Sequence, residues 1–240
     1  MPGDAGTSAR RVFITGANRG LGLGLVQAGL ARGDRVFASS RKPKEAAKLH
    51  ALAAAHPDRL SLLSLDVTDE TAIARAAQAV RDRAKGLDLL INNAGILPRG
   101  VALSSLEVDT LLQTMHVNAI APVMVARAFV RVLRRSDHPV IVNVTSESGS
   151  LARKTTGRNY GYCASKAALN MLTRTLAHDL RRDGIIVITL HPGWVRTDMG
   201  GRSAPLTAAE SARGILALAD RVTLADTGSF LDWKGRPLPW

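Results

Sequence analysis

Two side chains with complementary acid–base chemistry, Tyr162 and Lys166, stand four residues apart in the segment from 160 to 170. The alanines and leucine of this segment and its lack of proline predict a helix that places both side chains on one face. A free tyrosine has a pKa of about 10, and a cation within a few ångströms favours the phenolate. The pair therefore indicates a general acid suited to neutral pH. An ordinary amphipathic helix, with a packed tyrosine and a solvated lysine, shows the same spacing.

A glycine-rich turn follows the first apolar run of the chain. The turn reads Thr-Gly-Ala-Asn-Arg-Gly-Leu-Gly and comes directly after Val12–Ile14. Glycines in such a turn let backbone amides and a helix N-terminus approach a pyrophosphate, although the same turn can serve close packing alone. The spacing is Gly-x-x-x-Gly-x-Gly and differs from the common Gly-x-Gly-x-x-Gly dinucleotide motif. The candidate cofactor contacts in this turn are Gly16, Asn18, Arg19, Gly20, Leu21 and Gly22.

The residues after the second and third predicted strands bear on the choice of cofactor. An NAD enzyme usually carries Asp or Glu after the second strand to bind the adenosine ribose, whereas this chain has Ser39-Ser40-Arg41. Arg41 and Arg19 can grip a 2′-phosphate through bidentate hydrogen bonds, or can be solvated surface charges. We therefore expect NADP(H), with Ser40 beside the phosphate. Asp66, next to Val67, can accept a hydrogen bond from an adenine amino group or cap the following helix.

Apolar runs alternate with amphipathic stretches along the whole chain. Strands are predicted at 12–14, 35–38, 60–65, 87–91, 140–144, 185–190 and 229–231, and helices at 21–31, 44–55, 71–84, 105–133, 162–180 and 207–219. Continuously apolar strands separated by helices indicate an α/β fold, a doubly wound parallel sheet of Rossmann-like type with helices on both faces. Such sheets bind ligands at the rim where the strands end. Pro122 is predicted to kink or break the longest helix.

Composition narrows the class of protein. The 240-residue chain is 46% hydrophobic and has no internal repeat, which predicts one domain over residues 10–240 after a flexible start at 1–9. Its formal charge is +12, but the cations are dispersed and aromatic residues make up only 4%, which disfavours a specific nucleic-acid site. The single cysteine, Cys163, excludes an internal disulfide and a cysteine metal cluster, so we expect a cytoplasmic protein without metal. No apolar run approaches the ~20 residues of a membrane span.

Four motifs together carry a family resemblance. The glycine loop, Asn92-Asn93-Ala94-Gly95, Tyr162-x-x-x-Lys166 and Pro192-Gly193 occur in this order, and the chain resembles the short-chain dehydrogenase/reductase family over residues 10–240. The resemblance implies hydride transfer between NADP(H) and a ketone, an aldehyde or the corresponding alcohol. It implies that Tyr162 is the acid/base. It also implies that Lys166 lowers the pKa of this tyrosine and binds the nicotinamide ribose.

The resemblance also implies roles for residues between these motifs. Ser146 would hold the substrate oxygen, and Asn118 would support a water relay to the active-site lysine. The gap of 16 residues between Ser146 and Tyr162 is longer than is usual in the family, which leaves Ser148 and Ser150 as alternatives. Ser146 is preferred because it follows the strand at 140–144 almost directly. The remaining implied cofactor contacts are Asn93, Ala94, Gly95, Pro192, Gly193, Val195 and Thr197.

The longer gap, the segment His191–Gly200 and the tail Phe230–Trp240 resemble the C-factor and sniffer-type carbonyl reductase branch. This narrower resemblance implies NADPH-dependent reduction of ketones or aldehydes. The predicted helices at 105–133 and 162–180 resemble those used for dimerisation in the family, which implies a homodimer or homotetramer, and the lack of a long apolar run predicts no membrane partner. A non-catalytic NAD(P)-binding signalling or regulatory protein is the alternative, and a nucleic-acid-binding role rests on net charge alone. The candidates for an apolar substrate pocket, if they do not simply pack in loops, are Leu97, Tyr160, Trp194 and Met199.

Overall fold

The computed structural model describes residues 9–98 and 101–240, so the expected flexible start at 1–9 lies outside the described residues except for Ala9. The described part of the chain forms a seven-stranded parallel sheet of order β3-β2-β1-β4-β5-β6-β7. The strands are β1 Arg11–Ile14, β2 Arg35–Ser40, β3 Leu60–Ser64, β4 Leu89–Asn92, β5 Val140–Val144, β6 Ile186–His191 and β7 Phe230–Asp232. The predicted doubly wound parallel sheet is therefore confirmed.

Helices connect the strands and cover both faces of the sheet. They are α1 Gly20–Ala31, α2 Ala47–Ala55, α3 Glu70–Arg83, α4 Val108–Met115, α5 Ala121–Leu133, α6 Tyr160–Leu180 and α7 Ala208–Arg221. Successive strand residues point to opposite faces, so Val12 and Ile14 enter one core while Phe13 enters the other. The first core packs under α1, α2 and α7, and the second under α3, α5 and α6. Burial on both faces explains why the strands are apolar throughout.

The long helix predicted at 105–133 is divided in the structure. A π-helical turn, His116–Ile120, separates α4 from α5, and the backbone N–H of Ala121 bonds to His116 O, five residues earlier. Pro122 lies in the first turn of α5 and has no N–H to donate, so the chain changes its hydrogen-bond register just before it. A second predicted helix, 44–55, begins only at Ala47, because Pro43–Glu45 forms a separate 3₁₀ turn.

The helical stretch Val108–Leu133 has the length and apolar composition of a membrane span, although no span was predicted from the sequence. Its most apolar window is 50% buried within the protein. The α5 part packs on α3 and the α4 part packs on α6. A core helix of a folded domain has the same length and composition, and packing against α3 and α6 explains this feature.

The C-terminal tail folds back onto the domain. The ring of Trp240 lies 5.4 Å from that of Phe230, and the carbonyl of Trp240 accepts a hydrogen bond from Ala152 N at 3.0 Å. Ser150 Oγ donates to Pro239 O at 2.7 Å. The tail therefore holds the loop that precedes α6, and Trp240 packs on its own domain.

Candidate active site

A cavity of about 1160 Å³ opens at the carboxyl ends of the strands. It extends from the glycine turn between β1 and α1 to the segment that follows β6. Every cofactor contact expected from the sequence lines it, namely Gly16, Asn18, Arg19, Gly20, Leu21, Gly22, Ser40, Arg41, Asp66, Val67, Asn93, Ala94, Gly95, Tyr162, Lys166, Pro192, Gly193, Val195 and Thr197. Residues that are far apart in sequence thus meet at the rim where parallel strands end.

The glycine turn is held tightly against the end of β4. Gly16 has a φ of +65°, and a Cβ there would lie 2.9 Å from Ala94 Cα. A Cβ on Gly22 would lie 2.2 Å from Gly16 O. Asn93 Nδ2 donates to Thr15 O at 2.9 Å and to Gly16 O at 3.2 Å. The glycines therefore permit a close backbone approach that larger residues would block, and Asn93 steadies it.

The start of α1 suits an anionic ligand. Arg19, the residue before the helix, is extended, and its side chain does not cap the N-terminal amides. Unsatisfied amides at a helix N-terminus attract phosphate oxygens. Ser40 Oγ is buried and has no hydrogen-bond partner among residues 9–98 and 101–240, and exposed Arg41 follows it. The residues present fit a dinucleotide with an additional phosphate on its adenosine ribose.

Asp66 lies beside this end of the cavity but does not cap the next helix. Its Oδ1 accepts hydrogen bonds from Thr68 N at 3.0 Å and Thr68 Oγ1 at 2.7 Å. The backbone bond is the main reason why the pKa of Asp66 is lowered, so its carboxylate is a ready acceptor. Asp69 instead caps α3, with bonds from Thr71 N and Ala72 N. The capping alternative for Asp66 is therefore wrong.

Arg19 reaches across the mouth of the cavity. Its guanidinium donates to Asp198 Oδ2 at 3.3 Å, and both side chains are exposed. The ion pair joins the glycine turn to the segment after β6. Sequence reasoning assigned Arg19 to a phosphate or to solvent and missed this acidic partner.

The predicted acid–base pair lies on α6 at the other end of the cavity. Lys166 Nζ is 5.8 Å from the centre of the Tyr162 ring and donates to Val144 O at 2.8 Å. Burial lowers the pKa of Lys166 to about 8. Burial raises the pKa of Tyr162, and a hydrogen bond with Ser146 only partly opposes it. The expected net lowering of the tyrosine pKa is therefore wrong for this structure, because burial of the phenol dominates.

Ser146 is the serine that faces Tyr162. It follows β5 and begins a 3₁₀ turn, Glu147–Gly149, and its Oγ accepts a hydrogen bond from Ser148 N at 3.1 Å. The Oγ hydrogen of Ser146 is thus not used by the turn and can point toward Tyr162. Ser150 is turned away toward the C-terminal tail, while Ser148 is exposed at the cavity wall. The geometry favours Ser146 among the three serines.

Asn118 stands behind the cavity lining, in the π-helical turn. Its Oδ1 accepts from Ile96 N at 2.8 Å, and its Nδ2 donates to Ile96 O at 2.9 Å and Ser165 Oγ at 3.1 Å. The side chain therefore fixes the backbone that follows β4. A Cβ on Gly95 would lie 3.2 Å from Asn118 Oδ1 and 3.8 Å from Lys166 Nζ. The water relay expected of Asn118 stays a prediction.

His191, the last residue of β6, also lines the cavity. Its Nδ1 accepts a hydrogen bond from Glu147 N at 3.2 Å, and its Nε2 lies 3.9 Å from Glu147 Oε2. Burial lowers the pKa of this imidazole, which favours its neutral form. The ring thus links the end of β6 to the turn that carries the candidate catalytic serine.

The arrangement of glycine turn, serine, tyrosine and lysine around one cavity agrees with a comparison of sequences. The short chain dehydrogenase family model matches residues 10–206. The chain belongs to the short chain dehydrogenase family.

Individual relatives of this short chain dehydrogenase are consistent with the narrower resemblance. C-signal of Myxococcus xanthus is 42% identical over 154 residues, which make up 64% of this chain and 93% of that protein. The crystal structure of NADPH-bound carbonyl reductase from chicken fatty liver has a TM-score of 0.92 at 39% identity, over 98% of this chain and 100% of that one. Carbonyl reductase Sniffer of D. melanogaster has a TM-score of 0.93 at 34% identity, over 97% and 100% of the two chains. The predicted resemblance to the C-factor and sniffer-type branch is confirmed.

Sequence reasoning missed the contacts that only the fold creates in this short chain dehydrogenase. The sequence analysis names His191 only as part of the segment 191–200. The signal that could have singled it out is a histidine that ends the strand next to β5, just before Pro-Gly. Leu97, Trp194 and Met199 line the cavity as expected for an apolar substrate pocket, whereas Tyr160 lies outside the lining formed by the described residues.

Proposed function

We propose that this short chain dehydrogenase is an NADPH-dependent carbonyl reductase that acts on small ketones or aldehydes, with Tyr162 as the acid/base. The observation that carries the proposal is the meeting of Ser146, Tyr162 and Lys166 at one end of a cavity whose other end is the glycine turn. The similarity to an NADPH-bound carbonyl reductase supports the choice of cofactor and reaction.

The residues at the glycine-turn end would hold the cofactor. Bound NADP(H) supplies or accepts the hydride. The amides at the start of α1 bind the pyrophosphate, and Arg41 and Arg19 bind the 2′-phosphate, with Ser40 Oγ as a nearby hydrogen-bonding group. Asp66 accepts a hydrogen bond from the adenine amino group, and Lys166 binds the nicotinamide ribose. The other residues that line this part of the cavity shape its walls.

The residues at the other end of the cavity would donate and return the proton of the substrate oxygen. The raised pKa of Tyr162 keeps its phenol protonated at neutral pH, as a general acid must be before reduction. Ser146 Oγ accepts from Ser148 N, so its own hydrogen can be donated to the carbonyl oxygen of a substrate. The two hydroxyls form a donor pair for the developing alkoxide. The ammonium of Lys166 then stabilises the phenolate that remains, and Asn118 supports the return of a proton through water.

The proposal also covers the domain organisation, the location and the oligomeric state. We propose one domain over residues 10–240, a cytoplasmic location that rests on the single cysteine, and a homodimer or homotetramer. A signalling or regulatory protein that binds the cofactor without turnover is the alternative, and similarity to C-signal is its support.

A titration of the purified protein with NADPH and NADH tests the proposal first. The preferred cofactor is then offered with a panel of aromatic ketones, aldehydes and diketones, and its oxidation is followed by absorbance. Selective NADPH binding with turnover is expected. Tight binding without turnover would favour the regulatory alternative, and no binding of either nucleotide would contradict the assignment of the glycine turn.

Tyr162→Phe tests the assignment of the acid. The variant keeps the ring but loses the proton donor, so kcat should fall by about 10²- to 10⁴-fold while the Kd for NADPH changes little. Tyr160→Phe is the matched control, because Tyr160 lies on the same helix but outside the described cavity lining. Unchanged turnover in Tyr162→Phe would remove the catalytic assignment.

A further inference from the structure

We propose that His191 is a positioning residue, which fixes Ser146 for catalysis by accepting a hydrogen bond from the backbone of the adjacent turn. The inference rests on the proposed reductase function, since it gives His191 a role in that reaction. His191 acts on Ser146 indirectly, through its hydrogen bond with the backbone N–H of Glu147.

The contact continues the hydrogen bonding between two neighbouring strands. β5 and β6 are parallel, with Val144 paired to Leu190, and Thr145 N donates to Leu190 O at 2.8 Å. Two residues further along, Glu147 N donates to the His191 ring at 3.2 Å rather than to a backbone carbonyl. The carbonyl of the following residue, Pro192, accepts from Ser211 Oγ at 2.7 Å instead. The imidazole thus provides an acceptor at the point where the backbone ladder between the two strands has ended.

The residue that receives this support is the one directly after Ser146. The N–H of Glu147 is fixed by His191, and the N–H of Ser148 is fixed by Ser146 Oγ at 3.1 Å. These two bonds hold consecutive parts of the same 3₁₀ turn. Loss of the first would let the turn shift away from the sheet and carry the Ser146 hydroxyl away from Tyr162. Displacements of about 1 Å can reduce a rate by on the order of 100-fold.

The charged groups around the His191 ring influence its protonation state, and only one state can accept the hydrogen bond from Glu147 N. Nδ1 can accept only when the imidazole is neutral with its hydrogen on Nε2, which faces the Glu147 carboxylate at 3.9 Å. Asp232 from β7 also favours the protonated ring, whereas Arg153, ion-paired with Glu147, opposes it. Burial is the largest influence and lowers the pKa of His191, so the accepting form prevails at neutral pH.

Substitutions of His191 separate the hydrogen bond from the bulk of the ring. His191→Leu removes the acceptor, and its kcat should fall by on the order of 10- to 100-fold, with the Kd for NADPH within about twofold of wild type. His191→Asn offers an amide oxygen to Glu147 N and should recover most of the lost kcat. His178→Asn, on the exposed surface of α6, is the control for loss of an imidazole. Equal kcat in His191→Leu and wild type, or equal losses in His191→Leu and His191→Asn, would overturn the inference.

The donor can be removed as well. Glu147→Pro deletes the N–H at the first position of the turn, where proline is tolerated, and Ser146 has the extended backbone, ψ 153°, that precedes proline readily. Glu147→Ala removes the same carboxylate and keeps the N–H. A kcat for Glu147→Pro well below that for Glu147→Ala supports the inference, and equal values would contradict it.

The pH profile of kcat gives a readout that a merely structural role would not move, and the ring itself reports the hydrogen bond directly. In wild type, kcat should fall as pH drops below the ordinary imidazole range of about 6.5, and this acid limb should be absent from His191→Asn. Nitrogen chemical shifts of His191 should report the tautomer with hydrogen on Nε2 at neutral pH, whatever the activity. If wild type reduces no carbonyl compound, the proposed function fails and the catalytic role of His191 fails with it, while these shifts still test the hydrogen bond from Glu147 N. The opposite tautomer, or a protonated ring at pH 7, would overturn it.

Discussion

At Tyr162 and Lys166, burial acts in opposite directions on two acids that lie one helical turn apart. It favours the neutral phenol and raises the pKa of Tyr162, and it disfavours the ammonium and lowers the pKa of Lys166 to about 8. The sequence predicted that these side chains share a helix face, because their spacing is local. It did not predict the direction of the tyrosine shift, because burial depends on the strands and loops that cover α6.

The buried ammonium of Lys166 should lower the free energy of unfolding, although the proposed reaction uses it. Lys166→Met removes the cation and keeps a long side chain, so the free energy of unfolding at pH 7 should rise by about 1–2 kcal/mol. Because the folded pKa of Lys166 is about 8 and its ordinary value is 10.5, the penalty is present below pH 8 and is relieved as pH rises toward 10.5. The advantage of the variant in urea unfolding should therefore shrink at high pH.

A Lys166→Met variant that is less stable than wild type would have a specific cause. Lys166 Nζ donates to Val144 O, and the methionine leaves that carbonyl without this donor. A variant that is less stable than wild type at pH 7 would show that the hydrogen bond outweighs the burial of charge, and the prediction would be wrong.

At the scale of helices and strands, most of the fold could be predicted because hydrophobic periodicity is a local property. The strand at 140–144 has the predicted bounds, and α1 differs from its prediction by a single residue. Two irregularities could not be predicted. The π-helical turn His116–Ile120 depends on how α4 and α5 pack, and Asp69 rather than Asp66 caps α3 because of the local backbone path. Sequence places both aspartates near the helix start but does not choose between them.

The candidate site follows the same division. Residues that directly follow strands could be assigned to one rim, since parallel strands end together. Contacts between loops could not, because no sequence pattern sets the distance between Arg19 and Asp198 or between His191 and Glu147. These pairs lie 179 and 44 residues apart in sequence.

The segment before α6 contains a conformation that should reduce stability. Arg158 and Asn159 have φ values of +67° and +55°, in the left-handed region that costs most residues about 1–2 kcal/mol. Arg158→Gly should therefore raise the free energy of unfolding by about 1 kcal/mol. Lys154 lies in the same loop and has no positive φ, so Lys154→Gly should not raise the free energy of unfolding. Thermal melts of the two variants and wild type measure the difference. Equal effects of the two substitutions would contradict this explanation.

An ion pair joins Arg11, the first residue of β1, to Asp88, which directly precedes β4. Arg11 donates to Asp88 through Nε at 2.8 Å and through a terminal nitrogen at 2.6 Å, and Ser136 Oγ donates to the same carboxylate at 2.6 Å. Burial alone would raise the pKa of Asp88, but the hydrogen bonds from Arg11 and Ser136 outweigh it and lower the pKa to about 2. The pair therefore stabilises the folded chain wherever Asp88 is ionised.

Asp88→Asn should lower the free energy of unfolding by about 2 kcal/mol at pH 7. Because the folded pKa of Asp88 is depressed, its contribution is present above the unfolded value of about 4 and is lost as pH falls toward about 2. Urea unfolding of both proteins should therefore converge in acid. Asp183→Asn, which breaks the more exposed pair with Arg134, should change stability by less than about 1 kcal/mol at either pH. A difference between wild type and Asp88→Asn that persists undiminished in acid would refute the assignment.

At the scale of the whole molecule, the two faces of the sheet are covered but one outer surface stays apolar. Leu112 and Val108 on α4 and Met171 on α6 are 62%, 69% and 66% exposed. The two helices contact each other, so their exposed side chains belong to one side of the domain. A formal charge of +12 opposes association by repulsion, so self-association needs an apolar surface to overcome it.

The proposed homo-oligomer is therefore expected to form through α4 and α6, and light scattering coupled to gel filtration measures it. Wild type should elute as a dimer or tetramer, and Leu112→Glu combined with Met171→Glu should elute as a monomer, because two carboxylates would be buried without partners. Arg213→Glu, an exposed charge on α7, which covers the other face of the sheet, should leave assembly intact. A monomeric wild type at the concentrations of the assay would contradict the oligomer. Assembly that survives the double substitution would place the interface on another surface, and the apolar side of α4 and α6 would then need a different occupant.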